Sequence, residues 1–328
     1  MYIGTQFHCR HDTDIEVLAQ LGVFNVDQTP AEPWSEWTTD ILKALRDRFD
    51  KYGIHLEMIH IPLGSQSAFK NEAGAIFLGP SDERDRQMDR MCETVRMASE
   101  AGLRGLNYNI TILGHLRTEA STGRGGAKLS TFDYDKLDQK LPEFEGGPAD
   151  EDEMWERIDH WLKCIIPVAE EYKIQMACHP SDPGIGNGGT YRGVARPLGM
   201  ADGFKKFIDL YDSPYNGLNF CQGCMSESLE NPAEDIFDVI RYFGERKKIF
   251  NVHFRNIKGR LKKFVEVFPD EGDINMIKAL RTYKEVGYEY MIMPDHVPGI
   301  SGVEAGQVGF AYVYGYIHAA VQAISEEV

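Results

Sequence analysis

Several things are scarce in this chain, and each scarcity excludes a class of protein. Basic residues are outnumbered: 35 Lys and Arg against 51 Asp and Glu leave a formal charge of −16. Such a balance argues against nucleic acid and against anionic membrane surfaces as partners. No run of 18 apolar residues occurs, so no membrane-spanning helix is expected. The first ten residues, M-Y-I-G-T-Q-F-H-C-R, lack both the basic start and the apolar stretch of a secretory leader. Only six cysteines are spread over 328 residues, without the spacing of a disulfide framework, and a reducing, cytoplasmic setting is expected. Cys92 and Cys164 fall within helical patterns and read as small buried hydrophobes.

What is present is a repeated alternation. Short β-rich runs at 2–8, 22–27, 54–61, 103–109, 174–179, 217–221, 249–254 and 288–293 are each followed by a segment with helical apolar spacing. Those segments lie at roughly 12–20, 36–51, 82–101, 152–172, 201–211, 233–244, 273–286 and 307–325. Ser81 before Asp82-Glu83, and Asn231-Pro232 before Ala233-Glu234-Asp235, read as helix starts; Gly53, Gly102 and Gly287 read as helix ends. An apolar share of 42% suffices for a full core, and no linker interrupts the pattern. Eight βα units predict an α/β fold, a single-domain (β/α)8 TIM barrel spanning 1–328, with a doubly wound open sheet as the competing architecture. Two insertions, at about 110–150 and 180–200, follow strands four and five on the side where a barrel carries its active site.

Four consecutive strands end in metal-capable side chains. Strand five ends at Cys178-His179, strand six at Cys221, strand seven carries His253, and strand eight leads into Asp295-His296. In a barrel these ends meet on one rim, where imidazole, thiolate and carboxylate can surround a divalent ion. Each residue alone has a plainer explanation: a hydrogen-bonded rim histidine, a small buried cysteine, an aspartate capping a turn. Recurrence at one topological position on four neighbours favours the metal site.

Cys221-Gln-Gly-Cys224 is a solitary CxxC. A zinc ribbon needs a second pair, and a redox pair needs a helix start, which the pattern does not place there. Cys221 is therefore read as a ligand and Cys224 is set aside. Gly184-Ile-Gly-Asn-Gly-Gly189 matches GxGxxG but lacks the strand before it and the acid after it, so it reads as a substrate loop. After strand four come Asn109, His115, Arg117, Thr118 and Arg124, among which an arginine could grip a carboxylate. His8, His11 and His60 are candidates for the opposite wall.

From about Leu56 onward the motifs resemble a known family. Y-N-I-T-I-L-G-H-L-R-T-E (108–119), H-P-S-D-P (179–183), L-N-F-C-Q-G (218–223), H-F-R-N-I-K (253–258), E-G-D-I-N-M (271–276) and P-D-H (294–296) together are similar to mannonate dehydratases, which belong to the xylose-isomerase-like TIM barrels. The resemblance implies a lyase, a hydro-lyase of carbohydrate metabolism that converts D-mannonate to 2-keto-3-deoxy-D-gluconate and water. It implies a divalent metal of the Mn2+ type, with Fe2+, Co2+ or Zn2+ as alternatives, held by His179, Cys221, His253 and Asp295. It makes His296, Asp295 and Tyr312 the catalytic candidates, and Asn109, Arg117, His60 and Arg255 the substrate-binding ones. A homo-oligomer is also implied. The sequence departs from the family pattern at Met293, where an arginine is usual, and at Leu116, Glu119, Val297 and Phe310, the last with Tyr312 and Tyr314 close by. These departures keep open a metal-dependent isomerase or epimerase working through an enediolate on a keto-sugar or modified sugar. A non-catalytic carbohydrate-binding barrel is the third reading.

Overall fold

The computed structural model describes residues 1–302 and 304–326. Its eight principal strands form one parallel sheet: β1 (Tyr2–Ile3), β2 (Asn25–Asp27), β3 (His55–His60), β4 (Gly105–Asn109), β5 (Gln175–His179), β6 (Asn216–Cys221), β7 (Ile249–His253) and β8 (Met291–Met293). Neighbours in the sheet follow chain order, and β1 also pairs with β8, Ile3 opposite Ile292. A parallel bridge between Thr5 and Val26 closes the remaining gap. The architecture is the (β/α)8 barrel, and the open-sheet alternative is set aside.

Helices α1 (Asp12–Gln20), α2 (Thr39–Asp50), α3 (Asp82–Glu100), α4 (Glu151–Tyr172), α5 (Ala201–Leu210), α6 (Gln222–Glu227), α7 (Pro232–Glu245), α8 (Met276–Glu285) and α9 (Ala305–Ser325) complete the chain's helical set among the described residues. The sequence signals act as expected at several ends. The Ser81 hydroxyl accepts from the Arg84 amide, and Pro232 opens α7. Gly53, Gly102 and Gly287 take φ of +69°, +79° and +68°, the left-handed region that ends helices. Between barrel and helices lies the main core, with Trp161 of α4 packed on Tyr108 of β4 at 5.3 Å between ring centres. Cys92 and Cys164, expected to be buried, are half-buried on the facing helices α3 and α4.

Inside the barrel, alternation along each strand stacks the side chains in layers. Met58, Ala177, Phe250, Met291 and Met293 form an apolar floor. Two residues further along the same strands stand His60, His179 and Asp295. Met293 thus packs in the floor, two residues before Asp295.

Two features escaped the sequence reading. One is the short helix α6, which begins immediately after Cys221. The other is an antiparallel hairpin, Asn256–Arg260 with Lys263–Val267, rising from β7 and pairing with Thr131–Asp133 of the first insertion. The hairpin joins the insertion to the mouth of the barrel. Strand one was read too long, since beyond Ile3 only Thr5 pairs.

Candidate active site

The ends of β5 to β8 deliver their polar residues to one point. Ligand atoms of His179, Cys221, His253 and Asp295 all lie within 4.8 Å of one another, and all four residues are buried. Register explains the convergence: Cys221 pairs with His253 across β6 and β7, and His253 pairs with Met293, two residues before Asp295. Cys221 Sγ is 3.5 Å from Asp295 Oδ2, and His253 Nδ1 is 3.6 Å from Asp295 Oδ1.

The surroundings fit a divalent cation. His179 Nδ1 donates to the Pro180 carbonyl at 2.7 Å, which fixes the tautomer and leaves Nε2 with its lone pair free. His253 Nε2 lies 3.1 Å from the Asn219 amide, while His253 Nδ1 is buried without a hydrogen-bond partner. Asn219 Oδ1 is likewise unpartnered. Turning the amide so that Oδ1 accepts from Nε2–H satisfies Asn219 and leaves Nδ1 with a bare lone pair directed at the cluster, available to a cation. Burial opposes ionisation of Asp295, but His296, His253 and Arg255 hold its carboxyl well below the usual range. Burial also opposes the Cys221 thiolate; Cys224, Arg255 and His179 nevertheless bring its pKa well down. Two imidazoles, a thiolate and a carboxylate are a donor set for a borderline divalent ion.

Beside this cluster lies a buried ionic network centred on Arg255. Its Nη2 donates to Glu227 Oε1 at 2.8 Å and to Asp182 Oδ2 at 3.2 Å, and its Nη1 to Glu266 Oε1 at 3.1 Å. Nη1 also sits 3.2 Å from Asp295 Oδ2. Arg255 can reach this position because residue 223 is glycine: a Cβ there would meet Arg255 Nε at 2.1 Å. Arg117 grips Asp182 with both ends of its guanidinium, at 2.5 and 2.8 Å, and also pairs with Glu266. Each arginine is therefore already matched by carboxylates. Arg117 and Arg255, expected to hold substrate, are here paired with Asp182 and Glu266.

His296 receives that support directly. Its Nδ1 is 2.8 Å from Glu266 Oε2, and its Nε2 is 3.7 Å from Asp295 Oδ1. Burial works against a charged ring, but Asp295 and Glu266 raise its pKa to about 9. With 37% of its side chain exposed, it is the most accessible member of the group. His115, which stands edge-on to His296 at 5.2 Å, is tied to Asp182 at 3.0 Å.

The opposite wall comes from β1 to β4. Gln6 donates to Asp295 Oδ1 at 2.9 Å, which joins the cluster to a cleft of about 730 Å3. Gln6, His8, Asp27, His60 and Lys70 line it. His60 pairs with Asn109 Oδ1 at 3.1 Å, and burial with two neighbouring histidines lowers its pKa to about 4, so the ring is neutral. Asp27 accepts a short hydrogen bond from Asn107 and is pushed up to about 6 by burial. His8 borders this cleft, as expected, whereas His11 caps the exposed start of α1.

Tyr312 is not brought to the cluster. It stands 41% exposed on α9, its hydroxyl donating to Asp270 Oδ1 at 2.9 Å, where Arg124 also pairs. Tyr314 is buried instead, its hydroxyl 2.6 Å from Thr5 Oγ1. The GxGxxG loop is a packing element: a Cβ on Gly184 would meet the Gly199 carbonyl oxygen at 2.0 Å.

Asp27, Asp182, Glu227 and Glu266 were missed by sequence reasoning. Asp182 lies inside H-P-S-D-P, and a clue for Glu266 was the run K-F-V-E-V, where Phe264 and Glu266 share the buried face of a strand. Asp27 ends the run 22–27, the strand-end position that marked the other candidates, and was passed over; nothing in the sequence around Glu227 marks it.

The comparisons agree with this geometry. A family model described as D-mannonate dehydratase (UxuA) matches residues 143–325. A mannonate dehydratase of Thermotoga petrophila is 26% identical over 304 residues, covering 82% of this chain and 80% of that protein. Mannonate dehydratase 2 of Halalkalibacterium halodurans is 26% identical over 302 residues, covering 84% and 82%. The crystal structure of mannonate dehydratase from Streptococcus suis superposes with a TM-score of 0.84 at 21% identity, over 98% of this chain and 93% of that one. A D-tagatose 3-epimerase-like protein shares the fold at a TM-score of 0.59 and 16% identity, over 99% and 100% of the two chains. With the matched segment carrying all four converging donors together with Glu266 and His296, the chain belongs to the D-mannonate dehydratase family of hydro-lyases.

Proposed function

We propose that the protein is a divalent-metal-dependent dehydratase converting D-mannonate to 2-keto-3-deoxy-D-gluconate. The observation that carries this reading is the convergence of His179, Cys221, His253 and Asp295 beside His296, with Asp295 bonded to Gln6 of the cleft wall. A Mn2+-type ion held by those four donors would supply positive charge against the negative charge that builds on the substrate carboxylate as the α-proton leaves.

The chain's own groups divide the proton work between two walls. Asp27, ionised at neutral pH, takes the proton from the carbon next to the carboxylate. His296, protonated and held by Glu266, gives its proton to the departing 3-hydroxyl, which leaves as water. The resulting enol becomes the 2-keto acid by proton transfer to carbon 3. Neutral His60 and Asn109 orient sugar hydroxyls without adding charge. Arg117 and Arg255 act at one remove, by fixing Asp182 and Glu266.

The test is to load the protein with Mn2+, supply D-mannonate and neighbouring aldonates, and assay for 2-keto-3-deoxy acids. Product from D-mannonate supports the proposal. No product from any aldonate with the ion bound stoichiometrically overturns it and directs the search to neutral sugars.

A further inference from the structure

The C-Q-G-C sequence was set aside for want of a helix start, yet the structure supplies one. Cys221 caps α6, and the Cys224 backbone N–H donates to Cys221 Sγ at 3.5 Å. Residues three apart in a first helical turn are side-chain neighbours, the spacing at which a disulfide can close. The second sulfur is not idle: Arg255 Nη2 donates to Cys224 Sγ at 3.0 Å. Cys221 Sγ faces Asp295, which accepts from Gln6 of the cleft wall, so the buried thiol lies directly behind that wall.

We propose that Cys221 and Cys224 form a reversible disulfide in the ion-free protein when it meets hydrogen peroxide, and that this disulfide removes a donor and closes the site to the ion. Closure rests on the metal-site reading; disulfide formation does not. Cys221 sulfur attacks one peroxide oxygen, the O–O bond breaks, and the departing hydroxide leaves as water, giving a sulfenic acid. Cys224 sulfur then attacks Cys221 sulfur; the S–S bond forms, the S–O bond breaks, and the hydroxyl leaves with the Cys224 proton as a second water. Two thiols lose two electrons, and one peroxide is reduced to two waters. A dithiol reverses the change by exchange. A bound ion engages the Cys221 lone pair and protects the pair. Cys178, also buried beside the site, directs its sulfur to the His179 carbonyl, and Cys92 and Cys164 meet far from the site, on the facing helices α3 and α4.

The experiment uses the full chain, stripped with a chelator, treated with hydrogen peroxide, and mapped by peptide mass spectrometry alongside Mn2+ titration calorimetry. The expected result is a Cys221–Cys224 cross-linked peptide, loss of Mn2+ binding and recovery of both thiols and binding with dithiothreitol. Protein loaded with Mn2+ beforehand should resist. In Cys224→Ser, peroxide should carry Cys221 to the sulfinic acid, and dithiothreitol should not restore binding. Absence of the cross-linked peptide from the wild-type chain overturns the proposal, as does dithiothreitol-reversible loss of binding in Cys224→Ser. Failure of the metal reading looks different: the reduced, untreated protein would bind no ion.

Discussion

Glu266 Oε2 and His296 Nδ1 face each other at 2.8 Å, although one comes from the hairpin above β7 and the other follows β8. The contact orients the ring and favours its charged form. Glu266→Gln keeps the shape and removes the charge. We expect kcat to fall by about 10²-fold with KM nearly unchanged. Because Glu266 raises the pKa of His296, its loss should move the alkaline limb of the rate profile to lower pH. A fall in kcat with an unmoved alkaline limb would assign Glu266 a purely structural role.

Asp27 makes opposite demands on activity and stability. Burial raises its folded pKa from 3.8 to about 6. The folded state therefore binds the proton more tightly than the unfolded chain, and stability falls as pH rises through that window. Above it the cost is roughly 3 kcal/mol. Asp27→Asn should raise Tm at pH 7 to 8 by a few degrees while abolishing dehydration. In the wild type, kcat/KM should drop as pH falls below about 6. A variant that is both active and no more stable would remove Asp27 from the mechanism.

His179→Ala and Cys221→Ala each delete a donor from the cluster. Titration calorimetry with Mn2+ should show binding lost in both, with far-UV circular dichroism unchanged. Asn219→Ala, which removes the partner of His253 Nε2, should weaken binding by about 10- to 100-fold. Full affinity in the two donor variants would mean that the ion sits elsewhere.

Arg255 is 1% exposed at its side chain and serves four carboxylates, from Asp182, Glu227, Glu266 and Asp295. Arg255→Met strands buried negative charge and should cost about 3–5 kcal/mol in urea unfolding. Arg255→Lys should rescue little of this, because an ammonium cannot span the same partners.

The fold and the convergence of the four strand-end donors were legible in the sequence for a shared reason. Strand alternation and strand ends are local properties, and His179, Cys221, His253 and Asp295 each stand at the end of an apolar run. The ionic network was not legible, because its members meet only in three dimensions. Asp182 follows β5, Glu227 ends α6, and Glu266 rides a hairpin whose basic sequence, K-G-R-L-K-K, hides its strands. Arg117 and Arg255 were noticed as cations, but the carboxylates that match them were invisible. Tyr312 was chosen by its neighbourhood in sequence, and helical geometry turns it outward.

Barrel closure between β1 and β2 consists of a single bridge at Thr5, with amide hydrogen bonds of 3.1 Å from Thr5 to Asn25 and 2.9 Å from Asp27 to Thr5. Every other seam of the barrel is a paired run of strands. The cheapest way for this barrel to breathe is therefore along that stitch. Gln6, the next residue, is the one that reaches Asp295 from the cleft. The most lightly paired join of the barrel thus lies one residue from the side chain that reaches Asp295.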